Sequence, residues 1–154
     1  MEIFEQFDKK WALVTAGTIG AFNTMTVSWG GLGTLWSKPA ATIYVRPNRY
    51  TYDFLNENEY FTICFFDEEA RADLAYLGSH SGRDGDKVAQ TSLHAVPVGA
   101  SVGWVEATLT LLCRKTYWQD MDPERIPSRI KERFYEHDPV HRMYIGEVVE
   151  ILKK

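Results

Sequence analysis

Apolar residues in this chain recur at every second position over several stretches, and that spacing commits those stretches to strands with one buried face. The run Asn23-Thr24-Met25-Thr26-Val27-Ser28-Trp29 separates into Met25, Val27 and Trp29 on one side and Thr24, Thr26 and Ser28 on the other. Ala41, Ile43 and Val45 alternate with Thr42, Tyr44 and Arg46 in the same way, up to a stop at Pro47. A long alternating pattern covers 102–118, where Val105, Ala107, Leu109, Leu111 and Cys113 share a face. Further strand signals lie at 11–16, 60–66, 94–97 (a short edge strand) and 143–152.

The intervening segments are short. Thr51 is placed to cap a helix over 52–57, and Asp67 to cap one running to Leu77, with Ala70, Leu74 and Leu77 on one face. Residues 87–91 read as a helical turn. Gly30, Gly31 and Gly33 break regularity and predict a loop that carries Trp36, Ser37, Lys38 and Pro39. Residues 120–139 are charged and hold three prolines, so they read as an excursion with one helix at 130–135. About six or seven strands without regular strand–helix alternation exclude a parallel α/β sheet. The fold class expected is mainly β, a small antiparallel barrel with added helices. Periodicity alone does not separate barrel from sandwich.

With 154 residues, 45% of them hydrophobic, a single domain over 1–154 with a real core is expected. Eight Tyr, eight Phe and five Trp supply flat faces for a ring-shaped ligand. Net charge is −4 and no basic block occurs, which argues against nucleic acid as a partner. No apolar run approaches the ~20 residues of a membrane span. The acidic start Met1-Glu2-Ile3-Phe4-Glu5 lacks a signal-peptide layout, so the expected location is cytoplasmic. Cys64 and Cys113 sit in apolar strand runs without a Cys-x-x-Cys spacing, which reads as two buried thiols and no metal site.

The chemistry-bearing residues fall into two groups. Thr24, Thr26 and Ser28 form a hydroxyl face suited to a polar ligand, and Arg46-Pro47-Asn48-Arg49-Tyr50-Thr51 follows. Two guanidinium groups beside a helix start form a phosphate receptor. Taken alone, such arginines are more often solvated surface charges. Ser81, Gly82 and Arg83, with Lys87 after them, are able to wrap an anion, or to form an ordinary surface turn with Asp84 or Asp86 as a cap. His80, His94, His137 and His141 have no metal-pair spacing on a helix, and Pro139 interrupts the last two. Glu106 and Glu147 read as strand-end residues held by partners. No acid, base or nucleophile constellation is present, so chemistry in this chain points to a cofactor.

The order of these pieces resembles the flavin reductase-like proteins of the FMN-binding split-barrel superfamily, in pattern the flavoredoxin-like group. The residues that carry the likeness run from 23–30 through 36–39, 46–51, 81–84 and Lys87 to Glu106-Ala107, Cys113-Arg114-Lys115 and Tyr144-Ile145-Gly146-Glu147. The resemblance implies a Greek-key split barrel, a homodimer, and FMN near the subunit interface. It implies that Asn23, Thr24, Met25, Thr26, Ser28 and Trp29 contact the ring and ribityl chain. By the same likeness, Arg46, Asn48, Arg49 and Thr51 meet the phosphate, and Ser81, Gly82, Arg83 and Lys87 close over the ligand. Trp29 and Trp36 either border the flavin or pack under the loop. The implied function is an oxidoreductase in which NADH or NADPH binds transiently and passes electrons through FMN to a free flavin, a metal complex or a protein. The alternative is a non-catalytic FMN-binding electron carrier. On either reading no side chain is catalytic.

Overall fold

A computed structural model describes residues 2–154. The chain runs α1 (Glu5–Asp8), β1 (Ala12–Thr18), β2 (Ala21–Val27), β3 (Gly30–Leu35), β4 (Lys38–Val45), α2 (Tyr50–Glu57), β5 (Tyr60–Phe65) and α3 (Arg71–Ser79). It continues with β6 (Ala95–Val98), β7 (Ser101–Trp104), β8 (Leu109–Asp120), α4 (Ser128–Phe134) and β9 (Arg142–Lys153). Seven strands form one antiparallel sheet in the order β2-β1-β5-β8-β9-β4-β3, and β6 with β7 forms a separate hairpin. The first and last strands of the large sheet are consecutive in the chain, so Ser28 and Trp29 bridge the one gap in the barrel wall. This is the mainly β split barrel expected.

Alternation assigns the strands to two cores. Val14, Ala16, Met25, Val27, Ile43, Val45, Phe61, Ile63, Leu111, Cys113 and Tyr144 fill the barrel. Leu55 of α2 closes one end at 1% exposure. Leu13, Cys64, Phe66, Leu74, Leu77, Leu93, Trp104 and Ala107 form a second core between the outer sheet face, α3 and the β6–β7 hairpin. Strand β1 is therefore buried on both faces from Ala12 to Gly17.

Several expectations need correction. The glycine-rich segment after Trp29 is a strand, not a loop: β3 pairs with β4 from Gly30↔Ile43 to Leu35↔Lys38. An edge strand pairs along one side only, so it tolerates glycines that would weaken a central one. The hairpin turns on Trp36 (φ 52°) and Ser37 (φ 60°), both left-handed, a type I′ geometry that gave no Asn-Gly signal. The long pattern over 102–118 is two strands. A turn closed by the Ala107 N–H on the Trp104 carbonyl divides it, leaving Val105 49% exposed and Ala107 in the second core. Helix α2 starts at Tyr50, so Thr51 lies inside it and Arg49 occupies the cap position without a side-chain bond. Asp67 makes no cap bond either and precedes a 3₁₀ turn, Glu68–Ala70. The 120–139 excursion carries its helix at Ser128–Phe134 and is tied back to the barrel by Arg46, whose guanidinium donates to the carbonyls of Phe134 (3.0 Å) and Pro139 (3.1 Å). Among the described residues no helix is long and apolar enough to cross a membrane.

Candidate functional site

The two faces of β2 do different work. On the even face Thr24 Oγ1 shares a 2.8 Å hydrogen bond with Thr15 Oγ1 and donates to the Val14 carbonyl, while the Trp104 indole N–H reaches Thr15 at 3.1 Å. Thr26 Oγ1 donates to the Leu74 carbonyl of α3 at 2.5 Å. These hydroxyls anchor the second core. The odd face points to α2: Asn23 Nδ2 donates to Thr51 Oγ1 at 2.8 Å, and Met25 follows two residues on. The cleft wall is therefore the face read as apolar from sequence, with Asn23 added to it.

Three segments enclose a cleft of about 190 Å3. Asn23 and Met25 come from β2; Asn48, Arg49, Tyr50 and Thr51 come from the start of α2; Gly78, Ser79, His80, Ser81 and Gly82 come from the end of α3 and the loop after it, with Lys87 behind them. The first turn of a helix presents free N–H groups, and here it opens onto the cleft. Gly82 seats directly on Asn23: a Cβ there would lie 2.1 Å from Asn23 Oδ1 and 3.0 Å from the Tyr50 ring. Arg83 holds the loop down, with Nη2 on Asp53 at 3.0 Å, Nη1 on the Asn48 carbonyl at 3.1 Å and its plane 4.9 Å from the Tyr50 centroid. Ser81 Oγ accepts the Arg83 N–H and caps the 3₁₀ turn Gly82–Asp84.

The cleft is cationic. Lys87 is 5% exposed, and its Nζ donates to the carbonyls of Leu77 and His80, both at 2.9 Å. Burial first, and Arg49 second, push its pKa down to about 8. Arg49 is likewise lowered, by burial and then by Arg46. Among the described residues neither side chain has a carboxylate partner. A buried lysine beside a half-buried arginine, with no anion between them, is costly. An anionic ligand relieves that cost, and this donor set accepts one.

Asn23, Met25, Asn48, Arg49, Thr51, Ser81, Gly82 and Lys87 thus come together around one cleft. The structure places the remaining candidates elsewhere. The side chains of Thr24 and Thr26 are in the second core, and Arg46 is committed to the excursion. Ser28 lies in the strand-to-strand bridge outside the cleft lining, and Arg83 straps the rim. Trp29, 42% exposed, stands edge-on to Phe134 (5.2 Å) and His141 (5.4 Å). Trp36 is 65% exposed at the hairpin tip. Sequence reading missed Tyr50 and the Gly78-Ser79-His80 run. Tyr50 carried a signal in its place between Arg49 and Thr51. The other three carried little, because the apolar stripe of α3 ends at Leu77.

The histidines and carboxylates form no second site. His141 is buried beside Tyr135, whose hydroxyl lies 2.7 Å from Nδ1, and burial with the charges of Arg46 and Arg49 lowers its pKa to about 4. Glu106 accepts from the His94 backbone N–H at 2.9 Å, and Glu147 pairs with Arg114 at 3.0 Å. Cys64 and Cys113 are buried thiols whose pKa values burial raises to about 11 and about 12. No group of three potential metal ligands occurs among the described residues.

Known proteins resemble this arrangement at the level of fold. No curated protein sequence matches the chain. A flavoredoxin from Methanosarcina acetivorans superposes with a TM-score of 0.73 at 20% identity, covering 94% of this chain and 68% of its own. An FMN-binding protein from Thermus thermophilus, solved with p-hydroxybenzaldehyde, gives 0.74 at 19% identity, covering 94% and 71%. An NADH:FAD oxidoreductase from Streptomyces globisporus C-1027 gives 0.73 at 16% identity, covering 99% and 80%. The family described as the flavin reductase like domain matches residues 4–153, and the chain belongs to that family.

Proposed function

We propose that this chain is a flavin-dependent oxidoreductase that holds FMN with its phosphate on Arg49, Lys87 and the first turn of α2. The observation that carries this reading is the buried Lys87 beside the half-buried Arg49, neither with a carboxylate partner among the described residues, in a cleft built from β2, α2 and the loop after α3. The donor set fits a phosphorylated flavin. Arg49 offers a fork and Lys87 a point charge for the phosphate. Met25 and Tyr50 offer apolar surface to the rest of the ligand, and the loop strapped by Arg83 covers the bound tail. When bound, the flavin supplies electron transfer between a reduced nicotinamide and an acceptor. The residues around it bind, orient and shield, in keeping with the lack of an acid–base constellation in the cleft.

The cleft of about 190 Å3 is below the roughly 300 Å3 at which small-molecule pockets begin. It suits the phosphate end of FMN and not a three-ring system. We therefore read the active form as a homodimer in which a second copy covers the ring. Exposed apolar residues at the barrel gap and on the edge strand beside it, Trp29 and Leu32, favour this arrangement. Light scattering tests it, and a monomer at micromolar concentration counts against it.

The spectrum of the purified protein tests the cofactor. A flavin spectrum with FMN as the released species is expected, and a colourless protein that FMN leaves unchanged would sink the reading. Anaerobic mixing with NADH or NADPH then separates enzyme from carrier. Bleaching of the bound flavin is expected of a reductase; a flavin that stays oxidised means that the chain carries electrons delivered by another donor.

A further inference from the structure

Lys87 is only 5% exposed, yet it lines two cavities at once. One is the cleft of Asn23 and Arg49; the other, of about 480 Å3, is bounded by Asp86 and Val88 as well. At the end of α3 its Nζ donates to the carbonyls of Leu77 and His80, both at 2.9 Å. An ammonium has three N–H groups, so one remains after both carbonyls are served. When a proton leaves, the two N–H groups of the neutral amine still hold both carbonyls, and the lone pair takes the third direction. Among the described residues no carboxylate pairs with Lys87 and favours its return to the charged form.

Beside that amine the cleft offers an anchor for phosphate, Arg49 with the first turn of α2. At about 190 Å3 it has room for a phosphate bearing a short acyl group, with no second chain needed to cover it. Burial and then Arg49 bring the Lys87 pKa to about 8, so roughly a tenth of the chains hold a free amine at pH 7. Lys115 is the internal comparison. Burial and then Arg142 lower its pKa too, and its Nζ also donates to a carbonyl, that of Leu55, but it stands on β8 outside both cavities. The two lysines share a depressed basicity, and Lys87 alone of the pair has a phosphate anchor next to it.

We propose, on the phosphate reading of this cleft and independently of flavin, that Lys87 is an acylation site for small acyl phosphates, which seat their phosphate on Arg49 and the first turn of α2. The neutral Nζ attacks the acyl carbonyl carbon. A C–N bond forms, the C–O bond to phosphate breaks, and inorganic phosphate leaves with the electron pair. The nitrogen gives up one proton to solvent, and nothing is oxidised or reduced. The product is an uncharged amide, so the cleft loses one of its two cations. An unloaded chain is open to this reaction, and a chain with an anion already in the cleft is shielded from it.

The full chain freed of flavin is treated with acetyl phosphate or with acetic anhydride, and acetylation is mapped by peptide mass spectrometry. The anhydride carries no phosphate, so it reports the basicity and access of each amine alone. The rate at Lys87 relative to Lys115 is expected to be at least about tenfold larger with acetyl phosphate than with the anhydride, because the anchored phosphate holds the carbonyl at the amine. Inorganic phosphate should suppress that excess, and Arg49→Ala should remove it with the thermal midpoint held. After acetylation FMN should bind about tenfold more weakly and riboflavin as before, and in Lys87→Arg acetyl phosphate should leave FMN affinity unchanged. The same Lys87 to Lys115 ratio with both reagents, or an excess that survives Arg49→Ala, overturns the site. Such a result beside FMN binding tighter than riboflavin leaves the flavin reading intact. Selective acetylation in a chain that binds no flavin supports the site and overturns the flavin reading instead.

Discussion

Asn23 and Thr51, 28 residues apart, are joined by a 2.8 Å hydrogen bond from the Asn23 Nδ2 to the Thr51 Oγ1, and this bond fixes the first turn of α2 against β2. Thr51 is 1% exposed and Asn23 7%, so neither group has water to fall back on. Thr51→Val keeps the shape and leaves the amide without its acceptor. It is expected to lower stability by about 1–2 kcal/mol in urea unfolding and to weaken FMN, because the turn that faces the phosphate loses its anchor. In a double-mutant cycle with Asn23→Ala the coupling should exceed roughly 0.5 kcal/mol; additivity would mean that the bond does not position the helix.

The phosphate prediction separates Arg49 from Arg46. Arg49→Ala removes an uncommitted fork from the cleft and is expected to weaken FMN by about 1.5–3 kcal/mol while leaving riboflavin nearly unchanged. Arg46→Ala should not alter that preference, since its guanidinium already serves the Phe134 and Pro139 carbonyls and lies over the Tyr135 ring. Its cost should appear as faster hydrogen exchange across α4. Equal weakening of FMN and riboflavin by Arg49→Ala would show that Arg49 does not read phosphate.

Lys87 gives the site a pH dependence of known sign. Its pKa falls from an ordinary 10.5 to about 8 in the folded chain. Between these values the native state is neutral at Lys87 while the unfolded chain still holds the proton, so stability should rise with pH across that window. Ligand affinity should move the other way. The phosphate of FMN is already doubly ionised above pH ~7, and it favours the charged lysine, so affinity is highest below pH ~8 and falls above it. Lys87→Met should flatten both profiles, read as thermal midpoint and FMN dissociation constant from pH ~7 to ~10. An affinity that stays level in the native chain through that range would remove Lys87 from the phosphate site.

How much of this was legible in the sequence follows from which interactions are local. Period-two alternation in β2 and β4 reports burial on a pleated surface, a property of each residue and its neighbours, so the strands and the antiparallel class were readable. The segment content of the cleft was readable too, because Arg49, Thr51, Gly82 and Lys87 lie in short runs of polar residues. The facing of β2 was misread. Small hydroxyls look ligand-directed when the partner is unseen, but Thr24 and Thr26 satisfy Val14, Thr15 and a helix carbonyl. Arg46 was misassigned for the same reason: its acceptors are 88 and 93 residues away, and nothing local announces them. The cut at 105–108 was invisible because Ala107 suits either a strand or a turn, and only pairing with β6 ends β7 at Trp104.

The β3–β4 turn yields the last prediction. A two-residue type I′ turn places both central residues at positive φ, where a side chain is crowded by the neighbouring carbonyl. Trp36 and Ser37 hold those positions at 52° and 60°. Glycine adopts that region without penalty, so Ser37→Gly should stabilise the folded chain by up to about 1 kcal/mol, partly offset by the greater freedom of glycine in the unfolded state. The expected readout is a thermal midpoint higher by a few degrees, with FMN affinity unchanged because the turn is outside the cleft. Ser37→Val is the converse: a β-branched residue in the left-handed region should lower the midpoint by at least as much. If both substitutions leave the midpoint unmoved, the turn is not held in the left-handed geometry, and the β3–β4 register from Gly30↔Ile43 to Leu35↔Lys38 must close by another route.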